Sequence, residues 1–423
     1  MKTTNVRHLR VWRRLSDGED VLVGELAQNQ RGIFFQYDRL YLESWQSLSP
    51  FRLPFDHSLT PAPKTPHAGL HGLFADSLPD GWGMLLMDRV FRQLGMPPHS
   101  ITPMDRLAYT GQGATGALHY TPAMSREGEE DLTEMATLGE QAALVFDGQT
   151  DDVLNALANA GGSGGARPKA LIYFDPEQPE QVFTTENGAS NQPWLIKFTS
   201  AKLALGHDEG ICEAAWLRMA SQCGIDVPEY RLFSQKNGHI WLAVKRFDCA
   251  EDVPKGRYHM QTLCGLLDAD FRQPSMDYED LIKASQILCQ SPAVGRGQFL
   301  RAMFNLFAVN QDDHTKNWSF LMSDKGLWQP SPMYDVTFSP TPFGEHTMAF
   351  GGYGAKPPMK TVQRLASYAN YSSWKEAQND LQQICSVLAD WPSIGRELSV
   401  APERIEEIGS RLNKVYLENK GLL

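Results

Sequence analysis

Eight consecutive residues with hydrogen-bonding side chains, Asn310-Gln311-Asp312-Asp313-His314-Thr315-Lys316-Asn317, stand between two apolar stretches. Before them Phe299, Met303 and Phe307 recur at helical spacing; after them Trp318-Ser319-Phe320-Leu321-Met322 reads as a strand. Such a segment cannot simply be buried, because each polar group left without a partner costs roughly 1–3 kcal/mol. Its side chains must find partners, water or a chemical task. Past a turn at Gly326 the chain runs extended to Pro332-Met333-Tyr334-Asp335-Val336. A hairpin there would return Asp335 to the side of Asn317.

An Asp, an Asn five positions later and a second Asp across a hairpin form the set that phosphoryl transfer uses. One carboxylate orients the acceptor hydroxyl, while the amide and the other carboxylate hold magnesium on the phosphates. Asp312 fits the first role, Asn317 and Asp335 the second. The plainer reading is a capping and turn cluster, where Asp and Asn are common. Asp312-Asp313-His314 also suggests a hydrolase or nuclease metal site, although no second histidine sits at ligand spacing nearby. Acyl transfer is set aside because no Gly-x-Ser-x-Gly elbow for a nucleophilic serine is expected.

Four glycines in five positions, Gly161-Gly162-Ser163-Gly164-Gly165, precede Ala166-Arg167-Pro168-Lys169. Without Cβ atoms, backbone N–H groups can approach an anion closely. The spacing is neither a Walker loop nor G-x-G-x-x-G, so a flexible linker competes. Position favours function, since the loop leads directly into the strand-like Ala170-Leu171-Ile172-Tyr173-Phe174. Lys197 interrupts the apolar strand Trp194-Leu195-Ile196-Lys197-Phe198. Strand alternation would turn it outward. A phosphate-neutralising lysine, as on the third strand of kinases, would need a helix carboxylate to position it. Glu213 is the best candidate, in a helix expected over 213–222 that Asp208 and Glu209 precede.

Residues 8–56 read as short strands: 8–12, 20–26 and 32–37, with Leu40-Tyr41-Leu42 following across Asp38-Arg39. After the Pro-rich 61–66 stretch a helix is expected through 84–89, with Asp80 as its N-cap. A short helix over 151–160 leads into the glycine loop, and strands at 230–233 and 240–244 follow the Glu213 helix. Beyond residue 258 the chain turns mostly helical, near 276–289, 296–309, 361–370, 374–388 and 402–416.

Hydrophobic residues at 42% suffice for a large core and exclude wholesale disorder. The 39 basic and 50 acidic residues leave a net charge of -11, so DNA would be reached only through a basic partner. Apolar runs such as 142–146 are far shorter than the roughly 20 residues that span a bilayer, so no membrane role is expected. The polar opening Met1–His8 has no signal-type segment, and the six cysteines form no Cys-x-x-Cys pair. A cytoplasmic protein with reduced thiols is expected.

With the loop, the lysine strand, Val244-Lys245-Arg246-Phe247-Asp248, Asp312–Asn317 and Tyr334-Asp335 in this order, the chain resembles the HipA family. These are serine/threonine kinases acting as toxins of bacterial type II toxin–antitoxin systems. Phe74-Ala75-Asp76-Ser77-Leu78-Pro79-Asp80-Gly81-Trp82-Gly83 resembles that family's Leu-Pro-Asp signature. Arg106–Gly111 and Gly116-Ala117-Leu118 are similar to its N-terminal module, and the resemblance covers about 8–415.

The resemblance implies an α+β, two-lobed kinase-like fold: an N-terminal β-rich module over 1–120, a lobe over 121–257 with loop, lysine and hinge, and a helical catalytic lobe over 258–423. It implies ATP and Mg²⁺ between the lobes. Asp312 would be catalytic and Lys316 would neutralise the moving phosphoryl group; Asn317 and Asp335 would ligate metal. Ser163, Gly164, Gly165, Ala166, Arg167 and Lys169 would cover the phosphates, with Lys197, Glu213 and His314 beside them. Lys245, Arg246 and Phe247 would form the hinge at the adenine. Gly162 stands where relatives carry an autophosphorylated serine, Lys245 and Cys249 replace Glu and Arg, and Asp313 replaces Gly, suggesting a second metal or a turn cap. Implied partners are a protein substrate, an aminoacyl-tRNA synthetase in the best-known relatives, and a small DNA-binding antitoxin. The rival reading is a catalytically silent nucleotide- or partner-binding regulator.

Overall fold

The computed structural model describes residues 6–124, 132–153, 155–184, 191–251, 253 and 255–423. Residues 1–5, at the polar opening, and residue 154, within the expected 151–160 helix, lie outside the described residues.

Strands β1 (His8–Arg14) and β2 (Asp20–Asn29) pair antiparallel around a turn where Gly18 takes φ +87° and Asp17 accepts the Glu19 N–H. β3 (Gly32–Tyr37) continues the meander. Leu40-Tyr41-Leu42, expected as a strand, forms helix α1 (Arg39–Ser44) instead. The Asp38 carboxylate accepts the Leu40 and Tyr41 N–H groups, and this cap outweighs the strand preference of the side chains. β4 (Thr60–Pro61), α2 (Gly72–Ala75), α3 (Gly81–Gln93), α4 (Pro103–Thr110) and β5 (Leu118–Thr121) complete a first unit with sheet order β4-β3-β2-β1-β5. Its alternating strands bury Leu9, Val11, Leu26 and Phe35 against Phe74 and Tyr120.

A second sheet follows. It is built from β6 (Leu132–Glu134), α5 (Met135–Phe146), α6 (Asn155–Asn159), β7 (Lys169–Phe174), β8 (Gln181–Phe183), β9 (Gln192–Lys197), α7 (Glu209–Gln222), β10 (Tyr230–Ser234) and β11 (Ile240–Lys245). Strand order is β10-β11-β9-β7-β8-β6, all pairs antiparallel. β7 is buried at every position, Lys169 included, as its apolar stretch from Ala170 to Phe174 reflects. The helix expected over 151–160 is shorter, and α7 begins earlier than expected, so that Glu209 joins its first turn.

The remainder holds β12 (His259–Thr262), α8 (Leu263–Leu267), α9 (Tyr278–Leu288), α10 (Val294–Phe307), β13 (Ser319–Met322), β14 (Trp328–Pro330), α11 (Met359–Tyr368), α12 (Trp374–Ala389), α13 (Trp391–Glu397) and α14 (Pro402–Asn419). β13 and β14 make the expected hairpin, with Gly326 at φ +78°. The largest core gathers α7 and these helices around Trp216, Phe299, Phe304 and Trp391. Among the described residues no helix is long and apolar enough to cross a membrane, and none of the six cysteines forms a disulfide.

The first unit is wedged against both others. Buried Arg13 donates to Asp324 at 3.1 Å, the Gly116 N–H donates to Asp248 at 2.6 Å, and Asp76 accepts both the N–H and hydroxyl of Thr262 at 2.8 Å. α2 meets α8 glycine to glycine: a Cβ on Gly72 would overlap the Gly265 carbonyl. We therefore expect Gly72→Ala to lower stability by about 1–3 kcal/mol, the range of core overpacking, in chemical denaturation. An unchanged midpoint would mean that this close approach does not hold the units together.

Candidate active site

Three elements converge on one cleft. Lys169 and Lys197 are register partners on β7 and β9. The Lys197 ammonium donates to Glu213 Oε1 of α7 at 2.5 Å and to Asp335 Oδ1 at 2.6 Å. The outward-facing reading of Lys197 is therefore wrong: its side chain is 8% exposed and that of Glu213 is 2%. Burial opposes charge on all three groups, and the outcome differs for each. Burial raises the Glu213 carboxyl, only partly offset by Lys197. For Asp335, burial is overcome by Lys197, Lys169 and Arg167, which hold its carboxyl far below the usual range. Burial also works against the Lys197 ammonium, but Asp335 and Glu213 raise it above its ordinary value.

The glycine loop between α6 and β7 forms the roof. Gly165 takes φ +94°, and a Cβ there would collide with the Lys169 ammonium. A Cβ on Gly162 would collide with the Gly113 carbonyl. Arg167 pairs with Glu209 at 2.7 Å, a contact that the longer α7 makes available. Burial lowers the Lys169 ammonium from its ordinary value. The run Gly161–Gly165 does spell Gly-x-Ser-x-Gly. It leads from helix into strand, the reverse of a nucleophile elbow, and the buried Ser163 hydroxyl has no partner among the described residues to act as base.

The polar octet forms the floor. Asp312 is exposed, and Asn317 donates its amide to the Asp312 carbonyl at 2.8 Å. His314 lies 3.8 Å from the Asp312 carboxylate. Lys316 donates to Asp80 at 2.7 Å and sits over the Phe271 ring. The hairpin brings Asp335, at φ +54°, back to this loop, and the Tyr334 hydroxyl donates to the Lys316 carbonyl at 2.7 Å. Asp313 turns away from the cleft. Its carboxylate accepts from the Tyr278 hydroxyl, His346 at 2.8 Å, and the N–H groups of Thr347 and Met348. Neither a second metal nor a joint Asp312-Asp313-His314 ligand set is consistent with that burial.

At the back, Leu171, Leu195, Val244 and Met260 give the cleft an apolar wall beside Lys245, Arg246 and Phe247. Lys245 reaches Glu251 at 3.2 Å and Glu229 at 3.4 Å, and Phe247 meets Tyr334 with ring centroids 5.4 Å apart. Arg246 is tied to Asp248 by two hydrogen bonds of 3.0 and 2.6 Å, and its N–H donates to the Pro193 carbonyl. Its side chain is thus a strut rather than a ligand-facing group.

Every site residue named from the sequence lines one of two adjoining compartments. Ser163, Gly164, Lys197, Glu213, Lys245, Arg246, Phe247 and Asn317 line the apolar one. Ala166, Arg167 and Asp312 face the outer one, and Gly165, Lys169, His314, Lys316 and Asp335 border both. Sequence reasoning missed the role of Asp80. It occupies the N-cap position of α3 but makes no capping bond; its carboxylate instead accepts from the Gly165 N–H and Lys316. Asp76, buried nearby, is pushed up to about 6 by burial.

This α+β body, with a five-element cleft of loop, lysine, helix carboxylate, polar floor and hairpin aspartate, defines a kinase-like protein. The description of a HipA-like C-terminal domain matches residues 161–411 and that of a HipA N-terminal domain matches 18–121. The chain belongs to the HipA family. Y4mE of Sinorhizobium fredii, which carries a provisional kinase name, is 27% identical over 383 residues, 85% of this chain and 82% of its own. The serine/threonine-protein kinase toxin HipA of Shewanella oneidensis is 24% identical over 192 residues, 41% of this chain and 42% of its own. The fold is similar to that of HipA in a complex of HipA, HipB and operator DNA from Shewanella oneidensis MR-1. There the TM-score is 0.68 at 18% identity, covering 98% of this chain and 97% of that one.

Lys197→Met would leave the buried Glu213 carboxylate and the partly buried Asp335 carboxylate without the ammonium between them. The expected loss of stability is about 3–5 kcal/mol. The Glu213 carboxyl, already raised by burial, would rise further, and a group with a raised carboxyl pKa loses stability as pH increases through it. The gap in melting temperature between wild type and variant should therefore be wider at pH 8 than at pH 5. A gap independent of pH would contradict the charge assignment.

Proposed function

We propose that the chain is an ATP- and Mg²⁺-dependent serine/threonine protein kinase of the HipA toxin type. The observation that carries this reading is the Lys197 ammonium held between Glu213 and Asp335, with Asp312 and Asn317 on the same cleft. The residues suit the ligands. The partnerless Ser163 hydroxyl, the glycine backbone and Lys169 supply donors for phosphates, and the apolar wall suits a base. Among the described residues Asp335 Oδ2 makes no hydrogen bond, leaving an oxygen for a hard cation in the compartment that Asn317 also lines.

On this reading, bound ATP supplies the phosphoryl group and Mg²⁺ offsets its charge. Asp312, exposed at the outer compartment, orients the acceptor hydroxyl and takes up its proton. Lys316 meets charge on the moving group, and Lys197 and Lys169 hold the phosphates in register. Asn317 and Asp335 would hold the cation, and Arg246 would stiffen the hinge whose Phe247 would flank the base. A small DNA-binding antitoxin as partner is supported by the likeness to HipA in its complex with HipB and operator DNA.

Labelled ATP with Mg²⁺ and a host lysate tests the reading. Asp312→Ala and Asp335→Ala should each lower transfer by at least about 100-fold while melting cooperatively. Full activity in either variant would discard the mechanism. ATP with Mg²⁺ at about 100 times Kd should stabilise the wild type by about 2.7 kcal/mol. Stabilisation without transfer to any protein would move the conclusion to a silent nucleotide-binding regulator.

A further inference from the structure

Asp80 belongs to the first structural unit, yet its carboxylate faces the cleft between the other two. A residue at an N-cap normally satisfies the first N–H groups of its helix, at a gain of about 1 kcal/mol. Asp80 forgoes that bond. One oxygen accepts the Gly165 N–H from the roof; the other accepts the Lys316 ammonium from the floor at 2.7 Å. The two residues after Asp80, Gly81 and Trp82, tighten the grip. A Cβ on Gly81 would overlap Ala166, and the Trp82 N–H donates to the Gly165 carbonyl at 3.0 Å. The Trp82 indole N–H also donates to the Lys169 carbonyl at 2.8 Å. Gly165 is thus held through both its N–H and its carbonyl by residues 80–82. Burial raises the Asp80 carboxyl, but Lys316 and the Gly165 N–H more than reverse this and keep it ionised at neutral pH.

We propose that Asp80 is a positioning residue for phosphoryl transfer: its carboxylate clasps the glycine-loop amide of Gly165 and the floor ammonium of Lys316, fixing both at one edge of the cleft. The proposal rests on the kinase reading above. Asp80 touches neither the acceptor nor the reacting atoms; it acts through Lys316 and the roof. Docking of the first unit does not depend on it, because Arg13–Asp324, Asp76–Thr262 and Gly116–Asp248 join the same units elsewhere.

Kinetics of the full-length chain test this. Asp80→Asn retains the shape and an acceptor for Gly165 but removes the charge that holds Lys316. It should lower kcat about 100-fold, the cost of misplacing a catalytic group, with less than a threefold change in the KM for ATP. Asp80→Glu should recover part of kcat. Lys316→Met should lose at least as much as Asp80→Asn, and the double variant should be no worse than Lys316→Met alone. Wild-type kcat in Asp80→Asn, or losses that multiply in the double variant, would overturn the proposal. Hydrogen exchange of the nucleotide-free protein provides a readout that does not need transfer. In Asp80→Ala the amides of 163–167 should exchange at least tenfold faster, and unchanged exchange would overturn the clasp. A wild type that transfers no phosphate would overturn the kinase reading and the catalytic half of this proposal, while the exchange result still decides the clasp.

Discussion

One buried ammonium organises this molecule. Lys197 comes from a central strand, Glu213 from the helix packed on that sheet, and Asp335 from the segment after a distant hairpin. Two carboxylates and one lysine in a low-dielectric interior would be costly alone. Lys169 and Arg167, with Glu209 paired to the arginine, bring the local charge into balance, and the depressed Asp335 carboxyl records the field of the three cations. The sheet, the helix and the hairpin are therefore locked at one point, and the cleft takes its shape from that lock. The apolar cores below and above can be built from many sequences of similar volume. The ion cluster cannot, since losing any member leaves the others uncompensated.

The first unit is more than an appendage. It reaches the hinge through Gly116, the helical part through Asp76 and Arg13, and the glycine loop through residues 80–82. A cleft normally bounded by two walls here has a third. Family membership and overall shape agree with this arrangement, since the matches to HipA N- and C-terminal domains lie on the parts that meet at the cleft.

Much of the second and third parts was legible. Helices with apolar residues at three- and four-residue spacing were placed to within a few residues, and the order of glycine loop, lysine strand, helix and polar octet led to the cleft. The errors share a cause. Leu40–Leu42 looks like a strand until Asp38 is seen to cap it, and Asp80 looks like a cap until its carboxylate is seen to turn elsewhere. Asp313 looks like a companion of Asp312, but adjacent residues on an extended loop point opposite ways, and only tertiary partners decide which is inside. Glu209 reads as preceding its helix, yet α7 starts at Glu209 itself. Short polar side chains have several local options of nearly equal energy, and a distant partner selects among them.

The four bonds on the Asp313 carboxylate carry a consequence for motion. With Tyr278, His346 and two backbone amides fastened behind it, the octet is anchored like a keystone to the helical mass. The glycine-rich segment opposite is held by residues 80–82 at Gly165, by the close fit of Gly162 on Gly113 and by the Arg167–Glu209 pair. A guest entering the cleft would meet a floor fastened from behind and a roof whose Gly165 is gripped from the N-terminal unit.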